Sequence, residues 1–224
     1  MKKTIAALAV LSMASGIAAA QSAVTIYGLF DVALVRESGG AAGSMTKLTS
    51  GIGGGSRLGF KGTEDLGGGN TAFFLLENGF QADTGVQGQG GLLFGRQVYV
   101  GIGGKWGSLA LGRQYTPQYL AIAGLDPFGS GYAGDTKNLF VPTGNAGSRM
   151  DNTVKYISPA YFNTTAEVVY APGEVSGDSD AGRQFGGSLA YKEGPLVVRV
   201  GYHNRNNDTA TVKTNTNARN LVAG

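Results

Sequence analysis

The chain has 224 residues with 39 glycines, 6 prolines, no cysteine, 1 histidine and 1 tryptophan, and carries a formal charge of +3 at pH 7. Hydrophobic residues make up 42% and charged residues 15%, too apolar and too weakly charged a balance for intrinsic disorder. The lack of cysteine removes disulfide scaffolds and thiolate zinc or redox chemistry, and glycine without a period of three removes a collagen helix.

In chain order the first element is a leader. Lys2 and Lys3 precede an apolar stretch from Ile5 to Leu11, and a small-residue run ends in Ala18-Ala19-Ala20. This predicts a secretory signal peptide over 1–20, cut before Gln21. Its apolar stretch is too short to cross about 30 Å of hydrocarbon as a helix. Loss of Lys2 and Lys3 lowers the formal charge from +3 to +1, so the pI of 9.1 overstates the basicity of the mature chain. No electrostatic case for nucleic-acid binding is left.

Past residue 21 the pattern is alternation. Val24-Thr25-Ile26-Tyr27-Gly28-Leu29-Phe30-Asp31-Val32 has one apolar and one mixed face. Arg57-Leu58-Gly59-Phe60-Lys61 repeats this, and after the turn Glu64–Asn70 a strand runs from Thr71 to Phe80. Further pairs are predicted at Gln97–Gly103 with Ser108–Gln114, Asn152–Ser158 with Thr164–Ala171, and Gln184–Tyr191 with Leu196–Tyr202. That is about nine strands, with a tenth beginning near Asn217. No stretch holds a helical period over three turns. Short joints alternate with long polar connections at 37–49, 81–92, 172–182 and 203–217, the asymmetry of an outer-membrane barrel. Strands near ten residues suit a tilted crossing of the bilayer, and Tyr99, Trp106, Tyr161 and Phe162 fall at strand ends, where an interfacial girdle belongs.

The connection from Tyr115 to about Ser148 stands apart. It is some thirty residues without a strand pattern, yet contains Tyr119, Leu120, Ile122, Leu125, Phe128, Tyr132, Leu139 and Phe140. So apolar a loop needs a surface, and the interior of a wide barrel supplies one.

Several motifs carry a family resemblance. Val24-Thr25-Ile26-Tyr27-Gly28, Ser56-Arg57-Leu58-Gly59-Phe60-Lys61-Gly62-Thr63-Glu64-Asp65-Leu66-Gly67-Gly68-Gly69, Gly95-Arg96-Gln97-Val98-Tyr99-Val100-Gly101, Leu111-Gly112-Arg113-Gln114-Tyr115-Thr116-Pro117 and Asp126-Pro127-Phe128-Gly129 occur in that order. Together they resemble the general porins of Gram-negative outer membranes, in the branch of betaproteobacteria and Neisseria. The resemblance spans essentially the whole chain. It implies an all-β fold, a transmembrane antiparallel β-barrel of the sixteen-stranded porin type, with residues 21–224 as its N-terminal part. It also implies export through the periplasm to the outer membrane, homotrimers embedded in outer-membrane lipid, and a water-filled pore for small hydrophilic solutes and ions. An inward-folded loop, here about 117–148, narrows that pore. No cofactor and no catalytic group is implied, and a metal site lacks ligands beyond scattered carboxylates.

Carried over by motif, Arg57, Arg96 and Arg149 match pore-wall arginines, and Asp126 and Asp135 are the candidate opposing carboxylates of the loop. Three wall arginines against few loop acids predict anion preference. The chain departs from the family at Leu29, where some members carry lysine, at Leu75, where glutamine is common, and at its end, Leu221-Val222-Ala223-Gly224, which lacks a closing aromatic. The expectation is an incomplete barrel of about 9–10 strands that alone makes no stable pore. A rival reading is a non-channel protein, a secreted β-rich adhesin or a small closed barrel serving as an anchor, which requires the first and last strands to pair. His203 reads as a solvated residue at a strand-to-loop boundary rather than a base, and the Gly-Gly-Lys at 103–105 fails as a phosphate loop because Trp106 follows.

Overall fold

A computed structural model describes residues 23–41, 43–132, 134–136 and 147–224. The expected leader at 1–20, and Leu139 and Phe140 of the apolar connection, lie outside the described residues. Twelve strands and one helix are described: β1 (Ala23–Leu29), β2 (Val32–Gly40), β3 (Gly43–Ser50), β4 (Arg57–Gly67), β5 (Asn70–Gly79), β6 (Gln97–Gly104), β7 (Gly107–Tyr115), α1 (Pro117–Leu125), β8 (Arg149–Ile157), β9 (Thr164–Ala171), β10 (Gln184–Glu193), β11 (Leu196–Asn206) and β12 (Asn217–Ala223). Ten of them form one antiparallel sheet in the order β1-β4-β5-β6-β7-β8-β9-β10-β11-β12, with β2 and β3 as a separate hairpin. No helix among the described residues is long and apolar enough to cross a membrane, which leaves crossing by strands open.

Two parts of the connection pattern differ from expectation. Residues 37–49, predicted as a polar loop, lie mostly in the β2–β3 hairpin, whose register slips between Glu37 and Gly40. The connection predicted to begin at residue 203 begins after Asn206, because β11 continues through His203. The remaining asymmetry holds. Short joints such as Lys105-Trp106 and Gly194-Pro195 link strand pairs at one end, and the long connections lie at the other.

Register fixes which residues share a face, since side chains alternate along a strand while partners across a ladder point the same way. Tyr27 pairs with Gly59, Gly59 with Glu77, and Glu77 with Gln97. Tyr99 pairs with Gly112 and Gly112 with Thr153, and on the next rung Lys155 pairs with Val169. Val169 then faces Gly186, Gly186 faces His203, and His203 faces Asn220. This face is polar and holds the buried Glu77, Gln114, Thr153, Lys155, Glu167 and His203. Lys155 and Glu167 form an ion pair across it at 3.1 Å.

The opposite face is apolar and uncovered: Val24, Ile26, Val100, Val168, Leu189 and Leu221 are each more than half exposed. In water such a surface would be a large aggregation-prone patch; in hydrocarbon it is the outer band of a barrel wall. Trp106 stacks on Tyr156 at 6.4 Å at the short-joint end, and Tyr161 and Phe162 are exposed there too. Tyr99 does not join this girdle. It sits inside β6 on the polar face, opposite Leu75 and Gly112.

The sheet is open. β1 and β12 are its two edges, so the first-to-last pairing required by a small closed barrel is absent among the described residues.

Candidate functional site

The long connection after β7 opens with a helix. Thr116 accepts the Tyr119 N–H at 3.3 Å as N-cap, and Pro117 takes the first turn, where its missing N–H costs nothing. α1 lies on the polar face, chiefly against β11. Gly201 makes that seat possible: a Cβ there would stand 2.8 Å from the Ala121 Cβ and 3.0 Å from the Pro117 carbonyl oxygen. Arg199, on the same face, donates to the Leu120 carbonyl at 3.2 Å and packs against Gly124.

Beyond α1 the chain turns back. The Asp126 carboxylate accepts the N–H groups of Phe128 at 2.8 Å, Ser130 at 3.1 Å and Thr136 at 3.1 Å. Desolvation works to raise its pKa, but the N–H groups of Phe128 and Thr136, the Thr136 hydroxyl and the Ser130 N–H outweigh it and hold the carboxyl below its ordinary value. The tip then reaches the connection between β3 and β4, where the Tyr132 N–H donates to the Ile52 carbonyl at 2.6 Å. The segment therefore runs from a seat on β11 to the β1–β4 side of the sheet, along the polar face.

Between the segment and the wall is a cleft of about 980 Å³, lined among others by Arg57, Arg96, Arg149, Asp31, Glu37, Tyr119, Tyr132 and Asp135. All three sequence-predicted arginines and Asp135 meet there. Asp126 does not line it; its oxygens are turned to loop backbone. Asp31 is likewise engaged with backbone, accepting from Gly53 at 2.8 Å and Gly54 at 2.7 Å, and Glu37 pairs with Lys47 at 2.6 Å.

The arginines are held by a chain of acceptors. Glu77 is buried and takes Arg96 Nε at 2.8 Å and the Tyr27 hydroxyl at 2.8 Å, with Arg57 Nε at 4.0 Å. Gly59 gives the Tyr27 ring room to lie over β4, since any Cβ there would collide with it. Arg149 differs: Nε donates to the Arg96 carbonyl at 2.7 Å, Nη1 to Ser148 at 3.1 Å and Nη2 to the Tyr115 hydroxyl at 2.9 Å. Every one of those acceptors is neutral, so Arg149 keeps its full charge at the cleft. The Tyr115 ring stacks on Tyr119 of α1 at 4.8 Å and lies 4.6 Å from the Arg149 guanidinium.

Sequence reasoning missed Glu77, Tyr27, Tyr115 and the acidic pair Asp31 and Glu37. Glu77 had a signal, a lone charge at the end of the apolar run Ala72–Leu76. His203, expected in solvent, is fully buried on the polar face, and among the described residues neither ring nitrogen has a hydrogen-bond partner. Among the described residues no group of His, Cys, Asp and Glu is placed to hold a metal ion.

An open antiparallel sheet with an uncovered apolar face, and a polar face crossed by one folded-in segment, is part of the wall of a transmembrane β-barrel of the porin type. The model of the Gram-negative porin family matches residues 7–223, and the chain belongs to that family, whose members are channels rather than enzymes. It is 33% identical over 232 residues to an outer membrane porin protein of Bordetella pertussis, covering 92% of this chain and 60% of that protein. It is 36% identical over 211 residues to outer membrane porin protein 32 of Delftia acidovorans, covering 90% and 59%. The solved anion-selective porin from Comamonas acidovorans superposes with a TM-score of 0.70 at 30% identity, over 83% of this chain and 58% of that one. The chain thus spans about three fifths of the length of these relatives. It is a protein of the Gram-negative outer membrane.

Proposed function

We propose that this chain builds the constricted part of a water-filled outer-membrane channel for passive diffusion of small hydrophilic solutes and ions, with preference for anions. The folded-in segment narrows the lumen, Arg57, Arg96 and Arg149 face it from the wall, and Asp135 stands on the loop side. In the complete assembly, three such channels associate as a homotrimer. The anion preference is also that of the Comamonas acidovorans porin named above.

One observation carries the reading: Arg149 lines the cleft, and among the described residues its guanidinium is held only by neutral oxygens. Of the acids lining the cleft, Asp31 accepts from backbone N–H groups and Glu37 pairs with Lys47, while Glu77 in the wall beside it is bound to Arg96. A permanent, undischarged cation at a narrowing attracts anions and repels cations through the low-dielectric wall around it. The test is the reversal potential of the complete channel that contains this chain, purified from an outer membrane lacking other porins and placed in a planar bilayer under a KCl gradient. A sign set by chloride supports the proposal, and one set by potassium overturns it.

A further inference from the structure

We infer that Tyr115 is the positioning residue that sets selectivity: it pairs Arg96 and Arg149 at the cleft without discharging either. This rests on the channel reading above. The Tyr115 hydroxyl oxygen accepts from Arg96 Nη2 at 3.0 Å and from Arg149 Nη2 at 2.9 Å. A phenol oxygen has two acceptor lone pairs, so both are spent on guanidinium donors. Two cations are thereby aimed at one uncharged atom, although they repel each other.

The contrast with Glu77 gives the point its chemistry. Glu77 also orients Arg96, but as a buried carboxylate it cancels charge while it positions. Tyr115 positions and cancels nothing. The N–H groups left over on both guanidinia belong to side chains that line the same cleft, where an anion can bridge them with charge-assisted hydrogen bonds. Tyr115 also couples the pair to the loop. Its ring stacks on Tyr119 of α1, which holds the phenol from the helix side, and its backbone carbonyl accepts Lys155 Nζ of β8 at 2.7 Å.

The test is Tyr115→Phe, which keeps the ring, the stack on Tyr119 and the contact with Arg149 but removes the shared acceptor, alongside Tyr115→Glu, which keeps an acceptor but adds charge. In bilayers the chloride-to-potassium permeability ratio should fall at least about threefold in Tyr115→Phe, the scale of one net hydrogen bond, since both of the hydroxyl's bonds are lost. Tyr115→Glu should lose the preference altogether. A second readout needs no pore: phenylglyoxal modification of Arg149 in the membrane-embedded protein, followed by mass spectrometry, should quicken about threefold in Tyr115→Phe. Unchanged permeability ratio and unchanged modification rate in Tyr115→Phe would overturn the inference. A wild-type protein without chloride preference would instead sink the channel reading, while the modification rates would still decide whether Tyr115 holds the arginines.

Discussion

Replacing Gly201 with leucine should unseat the loop helix and widen the pore. At present a Cβ at position 201 would lie 2.8 Å from the Ala121 Cβ and 3.0 Å from the Gln118 Cα. Carbon atoms prefer about 3.5–4.0 Å, so even alanine makes α1 withdraw by roughly 1 Å. Leucine adds three more carbons in the same direction, and overpacking of that kind costs about 1–3 kcal/mol. Beside the burial of Ala121 and Ile122, two contacts hold the helix there. The Arg199 hydrogen bond to the Leu120 carbonyl contributes about 1 kcal/mol, and the Tyr115–Tyr119 stack about 0.5–1.5 kcal/mol. The strain is comparable to these two contacts together, and the helix should shift away from β11 at that point. Gly201→Ala should raise single-channel conductance slightly, whereas Gly201→Leu should raise it further and admit larger sugars in liposome swelling. Native-like heat-modifiable mobility on gels would verify folding of both. If Gly201→Leu folds and keeps the wild-type conductance and size limit, the helix is not seated on β11 and the reasoning fails.

Other outcomes follow from the same geometry. Arg149→Gln should lower the chloride-to-potassium permeability ratio more than Arg96→Gln, because Arg96 is already compensated by Glu77; equal losses would contradict the assignment of charge. Asp126 has a folded pKa below its ordinary value, so its contribution to holding the loop is complete above the ordinary carboxylate range and is lost as pH falls through the folded value. Proteolysis within residues 126–136 should therefore quicken in acid, and the quickening should be absent in Asp126→Asn, where the loop is already loosened at neutral pH. The 224-residue chain refolded by itself should give no steady pores in a bilayer, because β1 and β12 leave unpaired backbone at two edges in lipid; steady conductance steps would refute this.

How much of this was legible in the sequence depended on how local the signal was. Period-two alternation located the main-sheet strands, including the last near Asn217, because one face meets hydrocarbon and the other water. The β2–β3 hairpin was missed. Its sequence, Arg36-Glu37-Ser38-Gly39-Gly40 running into Gly43-Ser44-Met45, is polar and glycine-rich on both faces, and the register slip at Glu37 breaks the alternation. α1 was missed for the opposite reason. Pro117-Gln118-Tyr119-Leu120-Ala121-Ile122-Ala123-Gly124-Leu125 is apolar nearly all round, so no polar stripe marks a helical period, although Thr116-Pro117 is a sound start signal.

The arginines were singled out by motif, and the structure gathers them at one cleft. Their acceptors were not, because the links join residues far apart along the chain: Tyr27 to Glu77, Arg96 to Tyr115, Arg149 to Tyr115. Only ladder register brings such pairs together. Asp126 shows the converse, a carboxylate in the expected segment whose Asp-Pro-Phe-Gly setting is turn chemistry, and whose oxygens the turn consumes. His203 was misplaced because the strand's polar end, Asn204-Arg205-Asn206, resembles a loop in composition while remaining in register with β10 and β12.

The most direct measurement is the reversal potential of the complete wild-type channel that contains this chain, in a planar bilayer separating unequal KCl solutions. Arginines facing a narrowed lumen, with Arg149 undischarged, predict a potential drawn toward the chloride equilibrium value, and more strongly at low salt, where screening is weakest. A potential drawn toward the potassium value, or none at any salt concentration, would contradict the account.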